Sequence, residues 1–386
     1  MAALPSLRQM IAELVALPSV SSVSPQLDQG NRAVIDRLAE WCEALGFAVD
    51  ICPLPGEPHK ANLVATLGRG EGGLVLAGHT DTVPYDGDLW ASDPFTLTER
   101  DGRLYGLGTS DMKAFLALAL EAARTVDPAK LAEPLVLLAT ADEESGMAGA
   151  KALAADGRAP GRHALIGEPT GLRPIRLHKG VMMEAVRITG RSGHSSDPSL
   201  GINALEGMTR VLNELLAWRD ELATRYRDVR FEVPQPTLNL GHIHGGDNPN
   251  RICGSAELHF DVRPLPGMEL AVLRAEVERR LRDVLDDYPG EIAVRSLFPG
   301  QPPLETPETA ELVGAAAELT GHEAGAVAFG TEGPWLRDLG MDVVVLGPGD
   351  IAQAHQPDEY LAMDRLDPTV ALLRRFIQRF CLEPRA

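Results

Sequence analysis

The stretch LVLAGHTDTVP, residues 74–84, begins as an unbroken apolar run and ends in an imidazole and a carboxylate, His79 and Asp81. An apolar run without polar alternation reads as a strand buried on both faces, the kind that builds parallel sheets covered by helices. Residues two apart on a strand share a face, so His79 and Asp81 arrive together at one edge of the sheet. By itself the pair reads equally well as a solvated loop with a capping Asp. The rest of the chain decides between the two.

Working outward, FAVDICPL (47–54) and ANLVATL (61–67) precede this strand and PLVLLATA (134–141) and HALIG (163–167) follow it, with a helix over DMKAFLALALEAARTV (111–126) between. The same character returns with AVAFG (326–330), DVVVLG (342–347) and a helix near 366–382. Apolar strands alternating with helices predict an α/β domain whose mostly parallel sheet is covered on both faces and split in sequence, over 1–175 and 291–386. The interval 176–290 reads differently. Extended MMEAVRITG, a helix over 201–226, extended TLNLGHI and AELHFDVRP, a helix over 268–287 and extended EIAVRSL give the order β-α-β-β-α-β, a ferredoxin-like inserted domain. Leu205, Met208, Leu212 and Leu215 supply an apolar face for its first helix.

With 386 residues the chain has room for two domains, and its 44% apolar and 24% charged content is that of an ordinary globular protein. A net charge of −19 opposes approach to nucleic acid or an anionic membrane, and neither is expected as a partner. Cys42, Cys52, Cys253 and Cys381 are scattered, with no C-x-x-C pair, which suggests neither a zinc-thiolate site nor a disulfide framework and fits a reducing cytoplasm. Leu7, Met10, Ile11, Leu14 and Val15 recur at helical spacing, so the N-terminus reads as an amphipathic helix and not a signal peptide. No stretch approaches the roughly 20 apolar residues that span a bilayer.

GRGEGG (68–73) matches G-x-G-x-x-G but leads into a strand instead of a helix, so it reads as a turn and not a pyrophosphate cradle. No G-x-S-x-G elbow occurs. His242 and His244 lie two apart but without an acidic cluster in their neighbourhood, and a structural or substrate-facing role is expected of them. The remaining acids are more telling. Asp111 opens a helix, Glu143 and Glu144 follow one buried strand, and Glu168 follows another. Loops beyond the carboxyl ends of parallel strands converge on one crevice, which aims these acids and His79 at a common place. Each has a plain structural reading as a cap or loop acid. Together they are carboxylates that repel unless a cation or proton intervenes, and a metal is the economical answer. Imidazole and carboxylate suit zinc and also accept cobalt or manganese. His355, just after DVVVLG, supplies a second imidazole.

The segments GHTDTVP, GTSDMK, EESG, GEPT and AHQPDEY resemble the dinuclear-zinc amidohydrolase and peptidase family that includes desuccinylases, aminoacylases and glutamate carboxypeptidases. The resemblance runs over essentially the whole chain, and GRSGHSSDPSLGINALE, NLGHIHGGDNPNRIC, DVRPLPGM and LGPGDIAQAHQPDEYL point to its branch of amino-acid deacetylases. It implies two divalent metal ions, His79 and Glu168 binding one, Glu144 and His355 the other, and Asp111 bridging them. It leaves Glu143 as the base, with Asp81 orienting His79. His194 is implied to reach an oxyanion across a homodimer, with Asn250 and Arg263 as substrate contacts from the inserted lid and dimerisation domain. Arg263 has an interdomain salt bridge as its plain alternative. Glu332, in FGTEGPW, is expected either to meet a cationic substrate side chain or to serve as a helix N-terminal carboxylate. Ala114 and Cys253 depart from the wider family pattern. The implied chemistry is hydrolysis of an N-acyl amino acid, a small-molecule amide. Broader deacylase or desuccinylase activity is the rival, and a metal-binding protein without catalysis a more distant one that the Glu143–Glu144 pair argues against.

Overall fold

The computed structural model describes residues 4–70 and 72–382, so Glu71 of the 68–73 turn lies outside the described residues. The chain divides into two compact units. One comprises Met1–Arg176, Thr306–Gly325 and Thr331–Ala386, and the other Leu177–Glu305 with Ala326–Gly330.

The first unit is built on a mixed sheet whose central strands are Leu135–Thr140, Leu74–His79, His163–Pro169 and Asp342–Gly347, side by side in that order and parallel. Leu74–His79 is buried at every position, as the apolar run requires. The parallel arrangement stops at these four strands. Beyond Leu135–Thr140 lie Glu57–Leu67 and Ala48–Leu54, each antiparallel to its neighbour; the last two are joined by a tight turn at 55–56 as a hairpin, which reverses direction.

The helix Lys113–Ala123 is buried on nearly all sides, and its Ala and Leu side chains join one core with the helices Leu7–Val15 and Leu366–Ile377. It lies so close to the sheet that a Cβ on Gly167 would sit 2.0 Å from the Phe115 ring. Only glycine fits there. Leu7–Val15 begins at Ser6, whose hydroxyl accepts the Gln9 amide while Gln9 reaches back to the Ser6 amide, a capping box. Met10, Ile11, Leu14 and Val15 are its buried face. AVAFG is strand only over Gly325–Val327.

The second unit has a four-stranded antiparallel sheet, ordered Thr237–Gly245, Ser255–Arg263, Met182–Thr189, Glu291–Ser296, with the helices Ala204–Arg225 and Leu270–Val284 packed into its core. The unit extends to Glu305, past the boundary drawn at 290; the last strand of the β-α-β-β-α-β order, Glu291–Ser296, itself lies beyond 290, pairs along Met182–Thr189 and completes the sheet. The buried stripe of its first helix also differs from the expected one. It runs through Ala204, Met208, Val211, Leu215, Trp218 and Leu222, while Leu205 is 42% exposed and Leu212 only partly covered. Steps of three and four residues along this stripe keep the helical period, with the fully buried Trp218 in the core beneath it.

Candidate metal centre

All four parallel strands send a residue to one end of the sheet. His79 is the last residue of its strand, Glu143 and Glu144 follow Leu135–Thr140, Glu168 lies near the end of its strand, and His355 follows Asp342–Gly347. Asp111 comes from the loop that enters Lys113–Ala123. The carboxyl ends of parallel strands open on one crevice, and the side chains meet there.

Asp111 stands in the middle. Its Oδ1 lies 3.1 Å from His79 Nε2 and its Oδ2 3.6 Å from His355 Nε2. Glu168 Oε1 is 3.7 Å from His79 Nε2, and Glu144 Oε2 is 3.0 Å from His355 Nε2. Ligand atoms of His79, Asp111 and Glu144 fall within 4.8 Å of one another, as do those of His79, Glu143 and Glu168. One carboxylate with an imidazole at each of its two oxygens makes two adjoining donor sets.

The electrostatics fit cations. Burial and the neighbouring Glu168 push the Glu143 carboxyl well above its ordinary range, and burial with Asp111 does the same to Glu168. Burial also works against charge on Asp111, but the His79 hydrogen bond and both imidazoles hold it low. The hydrogen bond with Glu144 lifts His355 to about 9. Glu168 Oε1 is buried without a hydrogen-bond partner. Four acids this close demand positive charge, and imidazole nitrogens with carboxylate oxygens are the donors that divalent transition metals accept. The residues present therefore fit two metal ions.

Asp81 acts differently from the expectation. His79 Nδ1 is 2.9 Å from the Asp81 backbone carbonyl, whereas the nearer carboxylate oxygen is 3.7 Å away and makes no hydrogen bond. A donated Nδ1–H here leaves Nε2 as the metal-facing nitrogen. The other Asp81 oxygen accepts the Glu144 amide at 3.0 Å. Asp81 thus orients His79 through its main chain and the Glu143–Glu144 turn through its side chain.

Glu332 stands where the second of its two readings puts it, at the N-terminus of the short helix Gly333–Asp338 as its N-cap residue, although its side chain makes no capping hydrogen bond and both of its oxygens are covered. Burial raises its carboxyl to about 7, with the Thr140 hydroxyl opposing.

His194, Asn250 and Arg263 belong to the second unit and are not among the residues gathered here. His194 is exposed, its Nδ1 accepting the Ser196 amide at 3.2 Å and lying 2.7 Å from the Ser196 hydroxyl. Asn250 is exposed in the loop that follows Thr237–Gly245. Arg263 donates through Nε to Asp261 at 2.8 Å, an ion pair within its own strand and not between domains. The rings of His242 and His259 lie 5.0 Å apart, tilted at 49°, on the sheet of the same unit.

Two buried groups close to the centre escaped the sequence reading. Glu359 accepts the backbone amides of Gly108, Ser110 and Asp111 at 3.0, 2.7 and 3.0 Å, so the segment that carries His355 also holds the segment that carries Asp111. Its place four residues after His355 in AHQPDEY was the available signal. Lys113 is fully buried, donates to the Leu17 carbonyl at 2.8 Å and has its ammonium pushed down to about 7 by burial. For Glu359→Ala, which leaves three buried amides unpaired, a loss of about 3 kcal/mol or more is expected from the ~1–3 kcal/mol cost of each unsatisfied buried group. Denaturant unfolding of the metal-loaded protein measures it, and an unchanged midpoint would rule out the clamp.

The model of Peptidase family M20/M25/M40 matches residues 75–379, and the chain belongs to that family. Within it, the chain is 48% identical over 383 residues to an acetylornithine deacetylase of Proteus mirabilis (strain HI4320), with 99% of each chain covered. An acetylornithine deacetylase of Pectobacterium carotovorum subsp. carotovorum (strain PC1) is 49% identical over 378 residues, with 98% of each covered. Among solved structures, an M20 family metallo-carboxypeptidase from Sulfolobus solfataricus superposes with a TM-score of 0.79 at 18% identity, covering 97% of this chain and 99% of that one. A dinuclear metal-binding M20 peptidase from Bacillus subtilis gives 0.66 at 16%, with 96% of each covered. These two likenesses establish the fold.

Proposed function

We propose that the protein is a metal-dependent amide hydrolase that converts N2-acetyl-L-ornithine and water to L-ornithine and acetate, a step of arginine synthesis. The observation that carries the chemistry is Asp111 with a histidine at each carboxylate oxygen, and Glu143 beside His79 and Glu168. The substrate follows from full-length relatives at 48% and 49% identity.

In this reading His79 and Glu168 hold one ion, Glu144 and His355 the other, and Asp111 both, with zinc the first choice and cobalt or manganese acceptable to the same donors. Two divalent ions held there supply Lewis acidity that polarises the amide carbonyl and makes water a nucleophile at neutral pH. Glu143 accepts the proton of the attacking water and returns it to the departing amine. Its place beside His79 and Glu168 suits this exchange, because it puts the carboxylate at the donor sets without an assigned ligand role. Asp81 keeps His79 in the tautomer that presents Nε2. Steady-state turnover of acetyl, formyl and succinyl amino acids by metal-reconstituted protein tests the assignment. Selective hydrolysis of acetylornithine is expected, and equal turnover across the panel would instead mark a broad deacylase.

The second unit is proposed to act as lid and dimerisation domain of a cytoplasmic homodimer, with His194 serving the partner's oxyanion and Asn250 and Arg263 contacting substrate. His194→Ala and Glu143→Gln protomers, each inactive alone, are then expected to recover activity when mixed. Mixed dimers with proven subunit exchange and no recovered turnover would refute the shared site.

A further inference from the structure

The residues just before Glu143 are held by a device that the metal centre itself does not require. The chain leaves Leu135–Thr140 and turns at Asp142, whose φ of 60° lies in the left-handed region. That conformation is uncommon for a residue with a side chain, although Asp and Asn adopt it more readily than most. The next residue is Glu143, so the Asp142 backbone sets the direction in which Glu143 departs.

Lys60 meets Asp142 from the neighbouring strand Glu57–Leu67. Its Nζ is 2.8 Å from Asp142 Oδ1 and 2.7 Å from Asp28 Oδ2, and its side chain is only 6% exposed. Ser21 adds a hydroxyl bond to Asp142 Oδ1 at 3.0 Å. Two residues along the same strand, Asn62 accepts the Ala141 amide at 3.2 Å and donates to the Gly149 carbonyl at 2.8 Å. Residues 60 and 62 of a strand share a face, so one strand grips both residues that precede Glu143. On the far side, Asp81 accepts the Glu144 amide. Residues 141, 142 and 144 are each anchored, and the Glu143 carboxylate is left to enter the centre beside His79 and Glu168.

A lysine is costly to bury, and a salt bridge out of water is weak evidence of stabilisation by itself. Asp28 would satisfy the ammonium as an ion pair without any link to the centre. What the second carboxylate adds is a fixed Asp142, and with it a fixed turn. We propose that Lys60 is a positioning residue for Glu143, its ammonium pinning the Asp142 carboxylate and so the left-handed turn that aims the base. The inference rests on the reading of Glu143 as the base.

The test uses full-length, metal-loaded protein with Lys60→Met, Asp142→Asn, the double variant and Asp28→Asn. A displaced catalytic group of this kind costs up to about a hundredfold in rate, so kcat is expected to fall roughly 10- to 100-fold in Lys60→Met and Asp142→Asn. KM and metal content are expected to stay within about twofold, since substrate and metal ligands are untouched. The double variant should be no slower than the slower single one, because both act through the same turn. Asp28→Asn, which removes only the outer partner, is expected to lower the unfolding midpoint while keeping kcat. Asp142→Asn keeps the size of the side chain and removes the charge that the Lys60 ammonium holds, so it reads the ion pair even if Lys60→Met does not fold. Wild-type kcat in Asp142→Asn, a kcat loss that metal depletion accounts for, or an equal loss in Asp28→Asn overturns the proposal. Glu143→Gln runs alongside: full turnover there would remove the base assignment, whereas a dead Glu143→Gln with an active Asp142→Asn removes only the role of Lys60.

Discussion

Glu143→Gln is expected to lower kcat by about 10²–10⁴-fold, the share general acid–base catalysis supplies, while metal content stays at the wild-type level. The amide keeps the size of the carboxylate and cannot take up the proton of the attacking water. Glu144→Gln, one residue on, should behave in the opposite sense, because the Glu144 carboxylate is 3.0 Å from His355 Nε2 and belongs to the second donor set. There the second metal is lost first and activity falls with it. Geometry alone does not separate the two acids, since a Glu143 oxygen also lies within 4.8 Å of His79 and Glu168 donor atoms. Elemental analysis of both variants does. Metal lost from Glu143→Gln and kept in Glu144→Gln would reverse the assignment.

Asp111→Ala is expected to remove both metals together and to abolish measurable turnover. The carboxylate stands between His79 and His355, one oxygen toward each, so neither donor set survives its loss with three ligands from the chain. His79→Ala and His355→Ala, by contrast, each weaken one set. Titration of the three apo proteins with cobalt, read by its visible absorption, distinguishes these outcomes without reference to activity. Two-step binding in Asp111→Ala with wild-type affinities would show that the bridge is not Asp111. Chelation of the wild-type protein should likewise abolish turnover, and readdition of metal should restore it.

Much of this centre was legible in the chain because its ligands are local signals. An apolar strand that ends in or leads to His or Glu announces a side chain at a sheet edge, and four such segments stand out by eye, with Asp111 at a helix entry as the fifth signal. The less legible residues lack that context. Lys60 is the fourth residue of Glu57–Leu67, next to His59 and close to Glu57, a context of solvated residues, yet it is buried between two carboxylates. Glu359 sits in a polar loop, and what gives it a role is three amides some 250 positions away. Glu332 reads as an acid at a helix start, and nothing local in FGTEGPW shows that the fold encloses it.

The amino-acid sequence by itself determined the alternation of buried strands and helices, the inserted β-α-β-β-α-β order and the acids and imidazoles at the strand ends, because periodicity and residue type act over a few positions. Only the tertiary structure decided which atoms face each other: both ends of Asp111 toward different histidines, the Asp81 carbonyl instead of its carboxylate on His79, and the second unit closing at Glu305 instead of 290. His355 and Glu144 are 211 residues apart in the chain and 3.0 Å apart in space. No local pattern encodes such a distance, which follows from how the strands are ordered in the sheet.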